Sequence, residues 1–488
     1  MCGLDFDRPR TAMTTPEGQM SQQVQSRIST QTWIIAVTIV LGAFMTQLDS
    51  ALINIGLATV SADLSTTLTT AQWIVSGYLL GLAVGLPACS WLCRRLGAGR
   101  VWLLALVMFT AASAICAAAP TIGWLIVGRC VQGLAGGVLL PAGQTVIVLA
   151  AGKQAMGRVM SVAGSALVLA PALGPIIGSS MLAHLSWPWL FLVNIPVGVL
   201  AIIVGLKVVP RGEHGAGTRF DLPGFLLIGL ALPLIAFAID RLGQQGTGGP
   251  TFIVVPGVLG LLLAVLFISR PPAEGRLIDL TVSMSPPFRA AAGVSLLVGV
   301  VQFGALVVWP LYLQIIEGAG LVASGVTMIG FAVGSATLIL SGRLTDRIGG
   351  GPVCVIGTAI LALSFLPRAM SSTGGSVVVS EICLLVLGVG SALSIVPAST
   401  AAYVAVQPQQ MPDAVTLINT LLRVGGVLGA SLVVVVIGGQ AIHGPHDPGR
   451  FQLAFLMLAV ASALAFACSL WLARLTRVPS DRSRTPAK

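Results

Sequence analysis

Charge is scarce in this 488-residue sequence. Only 9% of its residues are charged, against about 25% in a soluble domain, while 56% are hydrophobic and the mean hydropathy is +0.96. That excludes a soluble globular protein and predicts an integral membrane protein. Aromatics are few, at 6%, and no run alternates with period two, which excludes a membrane β-barrel. The eight cysteines are scattered, mostly through apolar segments, with no CxxC spacing, so they predict small packing residues rather than a disulfide framework. No phosphate-binding G-x-x-x-x-G-K-[ST] occurs, and neither H-E-x-x-H nor G-x-S-x-G is present. An ATP-driven pump and an intramembrane hydrolase are thereby set aside, and no enzyme activity or cofactor is expected. Residues 1–30 lack the short apolar core and cleavage site of a secretory signal and read as a cytosolic tail.

What the chain does have is about fourteen apolar segments, each near the ~20 residues that a helix needs to cross a ~30 Å hydrocarbon core. They begin near residues 33, 71, 101, 122, 157, 187, 221, 251, 288, 321, 353, 376, 413 and 451. The net charge of +10 follows them. Of 26 Lys and Arg, 21 fall on alternate connecting segments and the two tails, three fall on the other loops (Arg241, Arg368, Arg450), and Arg129 and Arg423 lie within spans. This positive-inside pattern predicts both termini in the cytosol of a plasma-membrane protein and no nucleic-acid partner.

Two blocks of six spans flank a charged linker carrying two more. LCRRLGAGRV (92–101) in the first block echoes LTDRIGGGPV (344–353) in the last at a constant offset of 252. The expected organisation is a tail (1–30), a six-helix bundle (31–209), a linker with two helices (210–287), a second six-helix bundle (288–474) and a tail (475–488). Small-xxx-small glycine pairs predict packing of Gly81/Gly85 on Gly425/Gly429, and of Gly174/Gly178 on Gly330/Gly334, within a functional monomer.

Intramembrane polar residues mark function by default. Asp49 lies about 24 Å along the first span and Arg129 about 10 Å along the fourth, which enters from the opposite side. Both therefore sit in the outer half of the bilayer, and a common cavity would let each offset the other's desolvation. Burial opposes ionisation of a carboxylate and a nearby cation favours it; between these effects Asp49 is the candidate proton-exchanging group, and a purely structural pair is the alternative. Gln132, Gln144, Asn194, Gln302 and Asn419 are candidate cavity donors or interhelical hydrogen-bonders, Glu381 a second candidate carboxylate, and Arg423 a mid-span cation with no acid in its own helix. HGPH, with His443 and His446, reads as a solvated turn rather than a metal site.

Four segments together resemble the major facilitator superfamily, specifically its fourteen-helix drug:proton antiporter branch. LDSALINIGL (48–57) is similar to the acidic motif of the first helix, matching at Asp49 and Asn54. GRCVQGLAGGVLLP (128–141) resembles the R-x-x-Q-G motif at Arg129 and Gln132. APALGPIIG (170–178), with Pro171, Gly174, Pro175 and Gly178, resembles the antiporter signature of the fifth helix. WPWLFLVNIPVG (187–198) resembles the opening of the sixth. The resemblance implies an all-α major facilitator fold of two six-helix bundles plus two inserted helices. It also implies proton-coupled efflux of a small amphipathic drug or metabolite by alternating access, with import of a small solute as the alternative. Asp49 and Arg129 would couple protons, and Asn54, Gln132, Gln302, Glu381 and Arg423 would line the substrate cavity.

One loop departs from the pattern. The family's loop between helices 2 and 3 carries a latching aspartate, and SWLCRRLGAG (90–99) puts Arg94 at its place and Ser90 at the motif glycine, while keeping Gly97. The second copy keeps Gly342, Asp346, Arg347 and Gly349. The departure puts the first latch in doubt, and the expectation is that of these gating residues those of the second copy do more of the work.

Overall fold

The computed structural model describes residues 28–212, 220–243, 251–270, 276–318, 320–370, 377–438 and 448–476. These residues are helical and without strands. Eleven stretches are long and apolar enough to cross a membrane. One of them, within Ile122–His184, contains a break at Gly152 (φ 65°) and is two helices, and Leu222–Ile235 and Val254–Ser269 add two shorter apolar helices. The total is fourteen.

In chain order the first bundle is α1 (Thr30–Asp63), α2 (Trp73–Leu96), α3 (Ala98–Ala117), α4 (122–151), α5 (153–184) and α6 (Asn194–Val208). The inserted pair is α7 (Leu222–Gly243) and α8 (Thr251–Ser269). The second bundle is α9 (Pro286–Ile315), α10 (Leu321–Ser335 and Leu338–Ile348, broken at 336–337), α11 (Gly350–Met370), α12 (Val377–Val404), α13 (Met411–Ile437) and α14 (Pro448–Thr476).

The repeat read from the two loop motifs is present in the backbone. Gly97 ends α2 at φ 87° and Gly349 ends α10 at φ 89°, a region that a side chain would strain. It is present in the packing too. A Cβ on Gly81, Gly85 or Gly137 would come within 2.3–2.5 Å of the Cys130, Leu134 and Leu82 carbonyls where α2 meets α4. Gly330, Gly334 and Gly388 meet the Glu381, Leu385 and Phe331 carbonyls in the same way where α10 meets α12.

These contacts correct the predicted glycine partners. Gly81 and Gly85 pack on α4, not on Gly425/Gly429, whose own partners are the Leu296 and Val300 carbonyls of α9. Gly174 and Gly178 pack on Ala51, Leu52 and Ile55 of α1, not on α10. The predicted helix pairs, α2–α13 and α5–α10, do touch, but through other residues nearer the helix ends. Each glycine pair closes a gap inside its own bundle, where two backbones can approach along their whole crossing. The side chains of Pro171 and Pro175 lie outside the described residues.

Candidate functional site

Asp49 stands on the face of α1 that carries Gly42, Thr46 and Gly56, all buried. This face turns into the first bundle, and Asp49 is 1% exposed. Arg129 of α4 donates to Asp49 Oδ2 at 2.5 Å and to Gln132 Oε1 at 2.6 Å. Gln132 Nε2 donates to Asp49 Oδ1 (3.0 Å) and Ser113 Oγ (2.8 Å), and Asn194 Nδ2 donates to Asp49 Oδ1 at 2.7 Å. Four helices thus converge on one carboxylate. The glycines between α2 and α4 matter here, because their close approach lets Arg129 Nε reach the Ile74 carbonyl of α2 at 3.2 Å. The Tyr78 ring lies 4.3 Å from the guanidinium carbon.

Every direct partner of Asp49 is a donor, so the site is built for the carboxylate. Protonating either oxygen breaks a hydrogen bond and loosens Arg129. The open cavity expected around both charges is not there: Arg129 is 0% exposed and the pair is sealed inside one bundle. The polar stripe of α1 that is accessible lies one step round the helix, at half-buried Gln47 and Ser50 and exposed Asn54. Gln302 is half-buried on α9, and Glu381 is exposed on α12, with no side-chain hydrogen bond or ion pair among the described residues. The carboxylate that pairs inside the second bundle is instead Glu317, just past α9, which accepts from Arg368 Nη2 at 2.7 Å and Ser380 Oγ at 3.0 Å. Arg368 is 2% exposed at the end of α11, not in a loop as expected from the charge pattern. His443 and His446 lie outside the described residues.

Contacts between the two halves gather at one end. Asp346 of α10 accepts from the Gly157 (2.8 Å) and Arg158 (3.2 Å) amides at the start of α5, and from Arg158 Nε at 2.8 Å. The bare Gly342 beside it lets the two backbones touch: an added Cβ would sit 2.3 Å from Ser161 Oγ and 2.4 Å from the Gly157 carbonyl. Arg347 follows half-buried Asp346 on an exposed part of the helix end.

The first copy, whose latch the lost motif aspartate put in doubt, also forms one. Arg94 of α2 pairs with Asp413, in the first turn of α13. Ser90 Oγ accepts from Arg94 at 2.8 Å and lies 2.6 Å from Asp413 Oδ1 and 2.9 Å from the Leu277 carbonyl, within reach of donating to either. The segment leaving the inserted helices completes the knot: the Asp279 amide donates to Asp413 at 2.8 Å, and Arg94 Nη2 donates to the Arg276 carbonyl at 2.5 Å. The inserted pair itself leans on α2 and on α13, one helix from each half. Asp221 fastens its entrance through Arg270 (2.9 Å) and the Gly224 and Leu277 amides.

Ser113, Tyr78 and Asp413 carry no sequence signal of their own. Asp413 reads as an ordinary acid in a helix's first turn, and only Arg94, an unexplained cation at a motif acid's place, pointed to a missing partner.

With this geometry in view, comparison with known proteins is specific. Residues 39–430 match the Major Facilitator Superfamily. A Mycobacterium tuberculosis "Multidrug resistance protein B homolog" is 31% identical over 412 residues, 83% of this chain and 76% of that protein. The "Putative multidrug resistance protein MdtD" of Serratia proteamaculans is 28% identical over 463 residues, covering 92% and 94%. Among solved structures the human organic anion transporter MFSD10 aligns with a TM-score of 0.63 at 15% identity, over 90% of this chain and 99% of that one, a likeness of fold. The chain belongs to the Major Facilitator Superfamily.

Proposed function

We propose that the chain exports a small amphipathic drug, antibiotic or metabolite in exchange for protons, by alternating access and as a monomer. The observation that carries this reading is the Asp49 carboxylate, buried with Arg129 and held entirely by donors. A carboxylate kept at such desolvation cost is a proton carrier in need of a switch, and Arg129 supplies one through its bond to α2. Helix α2, with Pro87 inside it, then runs from Ile74 and Tyr78 to Ser90 and Arg94, roughly 24 Å at 1.5 Å per residue. Loosening Arg129 at one end of this rod therefore bears on the latch at the other.

The relatives' names, multidrug resistance proteins, support export over import. The latched end carries Arg94, Arg158, Arg343 and Arg347, which supports a cytosolic position for that end and for both termini. Use of the glycine pairs inside each bundle supports the monomer.

The test is a resistance panel in an efflux-deficient bacterial host. Expression of the chain is expected to raise resistance to at least one amphipathic compound, and collapse of the proton gradient is expected to abolish that gain. Resistance that persists without the gradient would overturn proton coupling. Accumulation instead of exclusion of every transported compound would overturn export.

A further inference from the structure

Helix α13 turns one face toward the first bundle, and its contacts can be read turn by turn. Asp413 meets Arg94. Two turns on, Asn419 Nδ2 donates to Gln144 of α4 at 2.6 Å, a second contact between the halves. One turn further, on the same face, stands Arg423. It is midway along the 27-residue helix and is half-buried. Tyr78 of α2, in the first bundle, lies within electrostatic range of it. No ion pair or hydrogen bond engages it among the described residues, although each of the other arginines buried or half-buried within the spans described above is bonded. Tyr78 thus has the Arg129 guanidinium on its ring and the Arg423 charge beyond it.

An arginine cannot shed its proton in a protein, and a bare cation at mid-span is costly. Arg423 lies one turn beyond the Asn419–Gln144 contact between the halves. We propose that Arg423 is the binding group for an anionic head, so that the transported compound is an amphipathic organic anion such as a carboxylate or sulfonate. This rests on the transport reading above and narrows it to one charge class. A guanidinium matches such a group by paired hydrogen bonds.

The test uses the purified full chain in phosphatidylcholine nanodiscs and three probes on one ring system: 2-naphthoate, 2-naphthamide and 2-naphthylmethylammonium. Equilibrium binding near neutral pH is expected to favour the naphthoate over the other two by about tenfold or more. Arg423→Gln is expected to erase that preference, Arg423→Lys to keep most of it, and Arg423→Glu to favour the ammonium. Equal binding of the three probes by the unaltered protein, or no binding of any, would overturn the proposal, whether or not a variant folds. So would naphthoate binding that Arg423→Gln leaves intact. Loss of naphthoate binding on moving to phosphatidylglycerol nanodiscs would assign Arg423 to a lipid headgroup and overturn it as well. Charge-selective binding without any export phenotype would instead sink the efflux reading and leave the anion site standing.

Discussion

Each half of the molecule holds a buried ion pair and one side of a latch, and in both respects the halves differ. In the first half Asp49–Arg129 sits deep in the bundle, and Gln132 and Asn194 add their own hydrogen bonds to the carboxylate. In the second, Glu317–Arg368 closes the ends of α9 and α11, with Ser380 as helper. A pair at helix ends braces a bundle; a pair inside it, bonded to a helix that reaches the gate, can pass on a change of protonation.

The latches differ in sign. Asp346 caps the start of α5, where a helix N-terminus attracts negative charge. Arg94 in the equivalent place would be repelled by the start of α13. The sequence places an acid, Asp413, in that first turn, which serves the helix end and binds the arginine together. What the gate requires is a carboxylate at each helix start, and either side of the interface can supply it.

The largest effects should come from breaking the ion pairs. Asp49→Asn is expected to lower proton-driven transport at least ~100-fold, since the amide keeps the size but cannot titrate, beyond the stability loss of about 3 kcal/mol that removing one partner of a buried pair brings. Glu317→Gln should cost about 3 kcal/mol of stability, as loss of one partner of a buried pair does. It should leave the pH profile of transport unchanged. Thermal unfolding and transport against pH, measured on both variants, check the contrast; a shifted pH profile in Glu317→Gln would make the two pairs alike.

Next come the latches. Arg94→Asp sets two carboxylates against each other at a position where Asp413 is 2% exposed, and transport is expected to fall about tenfold, since facing like charges cost several kcal/mol. Adding Asp413→Asn should restore most of it by recreating the second copy's arrangement. Transport rates of the single and double variants decide this, and a double variant as impaired as the single would refute the exchange of signs.

The motif's small residues should matter less. Gly342→Ala drives a Cβ into Ser161 and the Gly157 carbonyl, overpacking that costs about 1–3 kcal/mol of the closed state. Ser90→Gly only loses hydrogen bonds, worth about 1 kcal/mol. Labelling of a cysteine introduced at the latched end would rank the two.

The smallest effect concerns the inserted helices. Burial would raise the Asp221 carboxyl, but hydrogen bonds from Arg270, Gly224 and Leu277 outweigh it and hold the group below its ordinary value. A carboxyl whose folded pKa is depressed contributes stability in full above its unfolded pKa and loses it as pH falls through the folded one. Melting of the protein at acid pH should therefore be less pH-sensitive in Asp221→Asn.

Much of this was legible before any coordinates. Charge scarcity and spacing gave fourteen helices, and Asp49 and Arg129 were found as charges that hydrocarbon would not tolerate unpaired. Asp49 follows Gly42 and Thr46 and precedes Gly56 at helical spacing, and the face they share is buried. The neighbours of a face were not legible. Glycine spacing announces a close crossing without naming the other helix, so the partners of Gly81 and Gly174 were misassigned. Arg368 read as a loop charge because its acid lies 51 residues away on another helix end. Asn194 and Asn419 were recognisable as polar, but whether each served a cavity or a neighbouring helix depended on what stood opposite: Asp49 for one, Gln144 for the other.

The central claim is that Asp49 carries the proton. It is tested most directly in proteoliposomes holding a pH-sensitive dye, with a substrate identified by the resistance panel added outside. The unaltered protein should show substrate-driven proton movement, and Asp49→Asn should bind the same substrate and move no protons. Substrate-driven proton flux of undiminished size in Asp49→Asn would contradict the account.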